Sequence, residues 1–379
     1  MSSKRVARSR TASTLTIVSL LVLTLLLPLA GCTATKASTD GGGESAPEPE
    51  KPPVNPLTGE EVASWDLVTR RPLAVKVEND AAARPQSGIV DADLVYEELV
   101  EGGITRFICI YLSKEASAIG PTRSARPSDI DITSFLDPLL ICSGGSSAVM
   151  SMVQASGMKY ITEDSTYFWR ERSRRAPHNL YTSTALLRQF LLEGGDSFNA
   201  LPDSGLYFAE PGDGEAEEEE AEEDASEGEE ESAGESAAPE SAMVGKATAI
   251  NIAYKAAMCA ASYQYDAASD RYLHFIQGSP HNDLTTGKSV APRNVIVQYV
   301  TVTNSGLRDV TGAPVPVSQV TGSGRCLVFT GGEVHHATWR KNSRSDATTF
   351  SDENGSPVPL RPGQTWIHLI PEDIPVTYQ

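Results

Sequence analysis

Apolar and polar positions follow two regimes along this chain. Up to about residue 205, short apolar runs alternate with polar loops and helix-length segments. Beyond residue 247 the period is close to two almost throughout. In the first region, residues 71–78 read as a strand from their β-branched run and the turn residues around it. Residues 92–100 fit strand or helix equally well. Residues 104–112 form a largely buried strand, and Pro127 suits the first turn of a helix running to about Leu136. A short apolar strand over 139–142 leads into Ser143-Gly-Gly-Ser-Ser147 and a helix to about Ser156; the segment reads as a tight turn with a Ser cap or, alternatively, as an anion site on the free N–H groups of the helix start. Thr182 is placed to cap a helix over 183–192.

The second region predicts strands at 249–254, a hairpin over 263–276, one long strand over 294–302, and a hairpin around Gly331-Gly332. Two further strands flank a turn at Glu353-Asn-Gly355, and a last alternating strand spans 366–370. The fold class is therefore mixed α+β. A mixed sheet with flanking helices is expected first, then a smaller, mostly antiparallel β domain.

Composition sets the boundaries. Of 379 residues, 40% are hydrophobic, enough for real cores. The net charge of −19 is uneven: residues 210–240 hold sixteen Asp and Glu and no Lys or Arg. Without them the remainder is near −3, so no domain carries the basic excess that nucleic acid requires. Like-charge repulsion and scarce apolar residues predict a disordered acidic insertion at 209–241. It separates an N-terminal domain at 56–208 from a C-terminal domain at 242–379.

The first 31 residues read as a signal peptide. Lys4, Arg5, Arg8 and Arg10 precede an apolar core of thirteen residues, too short for a comfortable membrane span. It ends in Leu29-Ala30-Gly31-Cys32, which resembles the bacterial lipobox. Lipidation at Cys32 would hold the mature protein on the extracytoplasmic face of a bacterial cell membrane. Residues 32–55, rich in Ser, Gly, Glu and Pro, would serve as a disordered tether. Cys109, Cys142, Cys259 and Cys326 lack metal or CxxC spacing. Buried free thiols are expected, with a Cys109–Cys142 or Cys259–Cys326 disulfide as the alternative.

The chemistry lies in arginines on three polar loops. Arg84 sits on the first, Arg106 follows Gly102-Gly103, and Arg123 and Arg126 sit on the second. Arg170, Arg172, Arg174 and Arg175 lie in the basic run 168–181, close to His178 and Asn179. If the loops share one end of a sheet, the planar guanidinium forks converge on carboxylate or phosphate oxygens. Arg84, Arg106, Arg123, Arg126, Arg175, His178 and Asn179 are thus candidate ligand-binding residues. The alternative is a lattice of ion pairs with Glu97, Glu98, Glu101 and Glu171. The partner implied is an anionic glycan or peptidoglycan fragment. No catalytic, metal or cofactor signature accompanies these residues. An enzymatic alternative, hydrolase or transferase, would use His178 or His281 with Glu97 or Glu98. An assembly protein acting through residues 242–379 is a third reading.

At these motifs the chain resembles the YerB-like family of bacterial lipoproteins, named for a domain of unknown function. The residues that carry the resemblance are Asn55-Pro-Leu-Thr-Gly59, Ala83-Arg-Pro-Gln-Ser-Gly88, Glu101-Gly-Gly-Ile-Thr-Arg106, Ile119-Gly-Pro-Thr-Arg-Ser-Ala-Arg126, Ala176-Pro-His-Asn-Leu-Tyr181 and Asn294-Val-Ile-Val297. The resemblance implies an N-terminal α/β domain and a smaller C-terminal domain, and it brings no known activity. Two features depart from the family pattern: the acidic insertion, and His274, where an Arg is usual.

Overall fold

The strand pattern of the first region becomes β1 (Leu73–Glu78), β2 (Leu94–Leu99) and β3 (Thr105–Tyr111), with α1 (Pro127–Thr133), β4 (Leu139–Ile141), α2 (Ser147–Ala155), β5 (Lys159–Ile161) and α3 (Thr184–Glu193) following. This computed structural model describes residues 51–209, 244–309 and 311–379. The signal segment, Cys32, most of the tether and nearly all of the acidic run lie outside the described residues. Ordered packing begins before residue 56: Val54 bridges Glu61, and the buried Asn55 donates from Nδ2 to Asp93 Oδ1 at 2.9 Å.

The second region supplies β6 (Ala249–Ile252), β7 (Ala261–Asp266), β8 (Arg271–Ile276), β9 (Asn294–Tyr299), β10 (Thr301–Arg308), β11 (Pro314–Gln319), β12 (Gly322–Thr330), β13 (Glu333–Lys341), β14 (Thr365–Ile370) and β15 (Val376–Tyr378). The class is mixed α+β, as the pattern implies. Three local expectations change. The long strand over 294–302 is broken at Val300, and its second part leaves the sheet as a separate hairpin of β10 with β11. The helix over 184–193 is capped by Ser183, whose Oγ accepts from Leu186 N at 3.3 Å. Thr182 Oγ1 instead donates to the Tyr167 carbonyl at 2.8 Å. The chain ends in β15 rather than β14.

One mixed sheet crosses both regions. Its order runs β13-β12-β9-β14-β2-β3-β1-β4-β5, with short strands Thr349–Ser351 and Val244–Lys246 both pairing with β13. β14 is the seam. It lies parallel to β9 on one side and parallel to β2 on the other, with Val95 opposite Trp366 and Glu97 opposite His368. Residues 51–379 accordingly form one compact unit.

Strand alternation divides the core into two layers. Leu73, Val75, Val77, Phe107 and Trp366 face a second, five-stranded sheet that includes β6, β7, β8 and β15. Ala74, Ile108, Ile110, Leu140 and Ile367 face the other way, onto Ile130 of α1 and Val149 and Val153 of α2. The buried polar residues of this second face lie on the same rows, and they build the site. Among the described residues no helix is long and apolar enough to cross a membrane.

Candidate functional site

The three motif loops are stitched side by side. Ser87 pairs with Gly120 and Ile119 with Thr182. Thr122 N donates to the Leu180 carbonyl at 2.7 Å, and Arg123 N to the Lys76 carbonyl at 2.9 Å. Gly120 has φ +152°, and a Cβ there would sit 2.8 Å from the Leu180 oxygen. At Gly88, φ +83°, a Cβ would sit 2.5 Å from the Ala118 oxygen. Only glycine allows these strands of loop to approach so closely. Cis peptide bonds precede Pro85, Pro121 and Pro177, one in each loop.

On the helix face, three of the predicted arginines share one cavity of about 340 Å³. Its walls are Arg106, Arg123, Arg126 and Glu101, the Ser143–Ser146 turn, and Arg308, Asp309 and Val315 from the β10–β11 hairpin. Each piece has a local cause. Asp129 Oδ2 accepts from the Arg126 backbone N–H at 2.8 Å, capping α1 and fixing Arg126 at its start. Ser143 N donates to the Arg123 carbonyl at 3.0 Å and Ala125 N to the Gly144 carbonyl at 2.8 Å, so the Gly-rich turn is tied to the second loop. Ser146 caps α2 by accepting from Val149 N. Ser318 N donates to Ser128 Oγ at 3.0 Å and holds the hairpin against α1.

The cavity's charges are partly paired. Arg126 Nη2 meets Glu101 Oε2 at 2.5 Å with both side chains nearly buried, and Arg106 Nη1 donates to the Ser124 carbonyl at 2.8 Å. Arg123 Nε lies 2.9 Å from Glu78 Oε1, with its N–H turned away from the hydrogen-bond direction. Arg106 Nε, Arg126 Nε and Glu101 Oε1 are buried with no hydrogen-bond partner among the described residues. Burial, reinforced by neighbouring Arg126 and Arg123, lowers the Arg106 guanidinium to about 10; Glu101 and Glu78 oppose that shift. Arg106 therefore remains charged at neutral pH.

His178 stands behind Arg123. Its Nδ1–H donates to Glu78 Oε2 at 2.9 Å, so His178 and Arg123 share one carboxylate. Asn179 is buried and holds the basic run in shape, accepting from Arg170 Nη1 at 2.7 Å. Arg175 is exposed. Arg84 does not line this cavity. Its Nη2 donates to the Asn79 and Met258 carbonyls at 2.7 and 2.6 Å, tying the first loop to the second region of the chain. Arg174 likewise donates to the Ala83 and Pro85 carbonyls.

Apart from His178, which is partly exposed, the acid/base candidates lie inside the protein. His281 is 4% exposed; its Nε2–H donates to Gln86 Oε1 at 2.9 Å, and its Nδ1 accepts from His274 Nδ1–H at 2.9 Å. Burial, then nearby Arg84, pushes His281 down to about 3. Glu97 accepts from Thr105 Oγ1 at 2.6 Å and lies 3.2 Å from His368 Nδ1. Glu98 is paired with Lys76, which also contacts Asp129 at 2.6 Å, all three fully buried. Burial raises the Glu98 carboxyl, while Lys76 helps hold Asp129 low. Cys109, Cys142, Cys259 and Cys326 are buried free thiols.

Three partners escaped sequence reasoning: Glu78, Gln86 and Arg308. Glu78 had a signal, because period two places Lys76 and Glu78 on one face of an otherwise apolar strand. Arg308 had none, since no element is predicted between the strand over 294–302 and the hairpin around Gly331-Gly332.

This arrangement can be set beside known proteins. The family profile described as "Protein of unknown function (DUF3048) N-terminal domain" matches residues 57–195, and its C-terminal counterpart matches residues 250–367. The chain belongs to the DUF3048 family. A relative in Bacillus subtilis (strain 168), named "Putative lipoprotein YerB", is 26% identical over 336 residues, covering 87% of this chain and 89% of the relative. The crystal structure of YerB from Bacillus subtilis is similar to this fold with a TM-score of 0.68 at 25% identity. That similarity covers 86% of this chain and 99% of the solved one. The cavity residues Arg106, Arg123 and Arg126 fall within the N-terminal family domain, and Arg308 falls within the C-terminal one.

Proposed function

We propose that this protein is a lipid-anchored component of the bacterial cell envelope, on the extracytoplasmic face, that binds an anionic envelope glycan or peptidoglycan-related ligand in the arginine cavity. The lipobox-like Leu29-Ala30-Gly31-Cys32 and the name of the Bacillus relative support the anchor. The observation that carries the binding reading is the cavity shared by Arg106, Arg123 and Arg126, each of which has a buried Nε–H with no hydrogen-bond partner among the described residues. Buried donors of this kind are costly unless something accepts from them.

Two experiments test this. Cys32→Ala should release the protein from the membrane fraction; full retention and processing would count against lipid anchoring. Calorimetric titration of the full chain with phosphorylated wall-polymer fragments should show binding that weakens steeply with added salt. Arg123→Ala and Arg308→Ala should each lower affinity about 10-fold, as expected for loss of one charge-assisted hydrogen bond. The melting temperature of Arg308→Ala should stay near that of the parent, since its side chain is exposed, whereas Arg123→Ala should lower it by leaving the buried Glu78 carboxylate to His178 alone. No binding by a folded parent chain would rule the reading out.

A further inference from the structure

The cavity contains a group that its positive charge does not account for. Glu101 is 8% exposed and lines the wall beside Arg126. One oxygen takes the Arg126 ion pair, while Oε1 is buried with no hydrogen-bond partner among the described residues. The same wall thus offers unmatched donors, Arg106 Nε and Arg126 Nε, and one unmatched acceptor. A fully deprotonated anion satisfies the donors but turns its lone pairs against Glu101.

The number of donors also bears on shape. Four arginines, Arg106, Arg123, Arg126 and Arg308, and the serines Ser124, Ser143 and Ser146 line the cavity, while the second carboxylate in the wall, Asp309, already accepts at Oδ1 from Thr311 and Ala313. A carboxylate ligand has about four lone-pair sites to offer these donors. A tetrahedral oxyanion exposes three or four oxygens and can meet donors arriving from several walls. Ser146 Oγ already accepts from Val149 N, which leaves its O–H free to donate. Ser124 Oγ and Ser143 Oγ stand 3.4 Å apart on the same side.

We infer that the cavity selects a phosphate group that still carries a proton, an inference that rests on the anion-binding reading above. Arg106 and Arg126 donate to the phosphate oxygens, and the P–O–H donates to Glu101 Oε1 once the enclosed carboxylate turns toward the cavity. Hydrogen phosphate and sulfate match in size and charge, but sulfate has no proton to give near neutral pH. Glu101 is therefore the specificity-determining residue. The shared chemistry can come from free phosphate or from a phosphate monoester on a larger molecule. A phosphodiester, which has no P–O–H, is excluded.

The test is calorimetric titration of the full chain at pH 6.5 with inorganic phosphate, sulfate, glycerol phosphate and a glycerol phosphodiester. Phosphate should bind roughly 10- to 100-fold more tightly than sulfate, the effect of leaving one buried acceptor unpaired. Binding of phosphate together with glycerol phosphate, or of phosphate alone, supports the proposal and separates an ester-linked group from the free ion. Sulfate or the diester binding as tightly as phosphate overturns it while leaving the anion-binding reading intact. Absence of binding by every anion removes the reading on which it rests. Glu101→Gln offers an N–H to sulfate and should bring the phosphate-to-sulfate ratio close to one; an unchanged ratio in a folded variant overturns the role of Glu101. The parent chain's ratio decides the main question even if that variant does not fold.

Discussion

Glu97 and Glu98 are neighbours in β2 and face opposite sides of the sheet, where they enter two unlike polar clusters. On the Glu97 side, His368 lies 2.9 Å from Tyr254 Oη and 2.7 Å from Tyr263 Oη. Gln86 is held by Asn79 and the Glu78 carbonyl and receives His281. Trp366 packs among Phe107, His274 and His281 with no exposed surface. Two acceptors there, Glu97 Oε2 and His274 Nε2, have no partner among the described residues, no donor is left unmatched, and the residues come from both regions of the chain. This cluster is a closed seam. On the Glu98 side, Lys76, Asp129, Glu101 and the arginines carry formal charge, border a cavity, and leave donors and an acceptor unmatched. Burial alone thus does not distinguish a structural polar cluster from a binding one. Unmatched donors beside a cavity do.

The strongest way to break this comparison is to damage each cluster in turn. Trp366→Ala should cost about 3–5 kcal/mol of stability through the cavity it leaves. Anion affinity of the molecules that remain folded should not change. Arg126→Ala should cost a similar amount, about 3–5 kcal/mol, because Glu101 is left buried without its counter-charge, and it should also remove binding. Adding Glu101→Gln to Arg126→Ala should recover part of that stability. Urea denaturation paired with calorimetry separates the outcomes. If Trp366→Ala removed binding as completely as Arg126→Ala, the two clusters would not be independent.

A smaller effect comes from pH. Burial holds His281 near 3 and, with His281 and His368 adding to it, puts His274 well below its ordinary value. In the unfolded chain both titrate near about 6.5. Above that pH they are neutral in both states, and their contribution to stability is fully present. As pH falls below about 6.5, the unfolded chain takes up protons that the folded protein refuses. Stability then declines toward pH 3 at up to about 1.4 kcal/mol per pH unit for each histidine. His281→Asn should flatten the slope by about one histidine's worth, measured by urea denaturation between pH 7 and 5. An unchanged slope would mean that His281 is reachable by solvent protons.

Much of this fold was legible in the residues. β1, β3 and β4, both helices flanking the cavity and the two hairpins of the second region follow from periodicity and turn chemistry, whereas β2 reads equally as helix and β5 has no sequence signal. The convergence of the arginine loops was conditional on their sharing one end of a sheet, and of the predicted binding arginines Arg106, Arg123 and Arg126 line the cavity while Arg84 and Arg175 do not. What a single sequence hides is how two regions meet. Residues 366–370 read as a closing antiparallel strand, yet β14 lies between β9 and β2, parallel to both. Nothing in its alternation encodes its neighbours. The same blindness applies to Arg84 and Arg123, two loop arginines of equal appearance. The first spends its guanidinium on backbone carbonyls at the seam, while the second faces the cavity. Which role each takes depends on carbonyls and carboxylates distant in sequence, Met258 for Arg84 and Glu78 for Arg123.

The central claim is that the arginine cavity is a tetrahedral-anion site and the histidine seam is not. Crystals of the protein soaked in tungstate, a heavy tetrahedral oxyanion, test it most directly through anomalous scattering. The expected result is one strong peak within hydrogen-bonding distance of Arg106 and Arg126, absent in Arg123→Ala, Arg126→Ala crystals. A peak confined to the exposed basic run around Arg172 and Arg175, or no peak at all, would contradict the account.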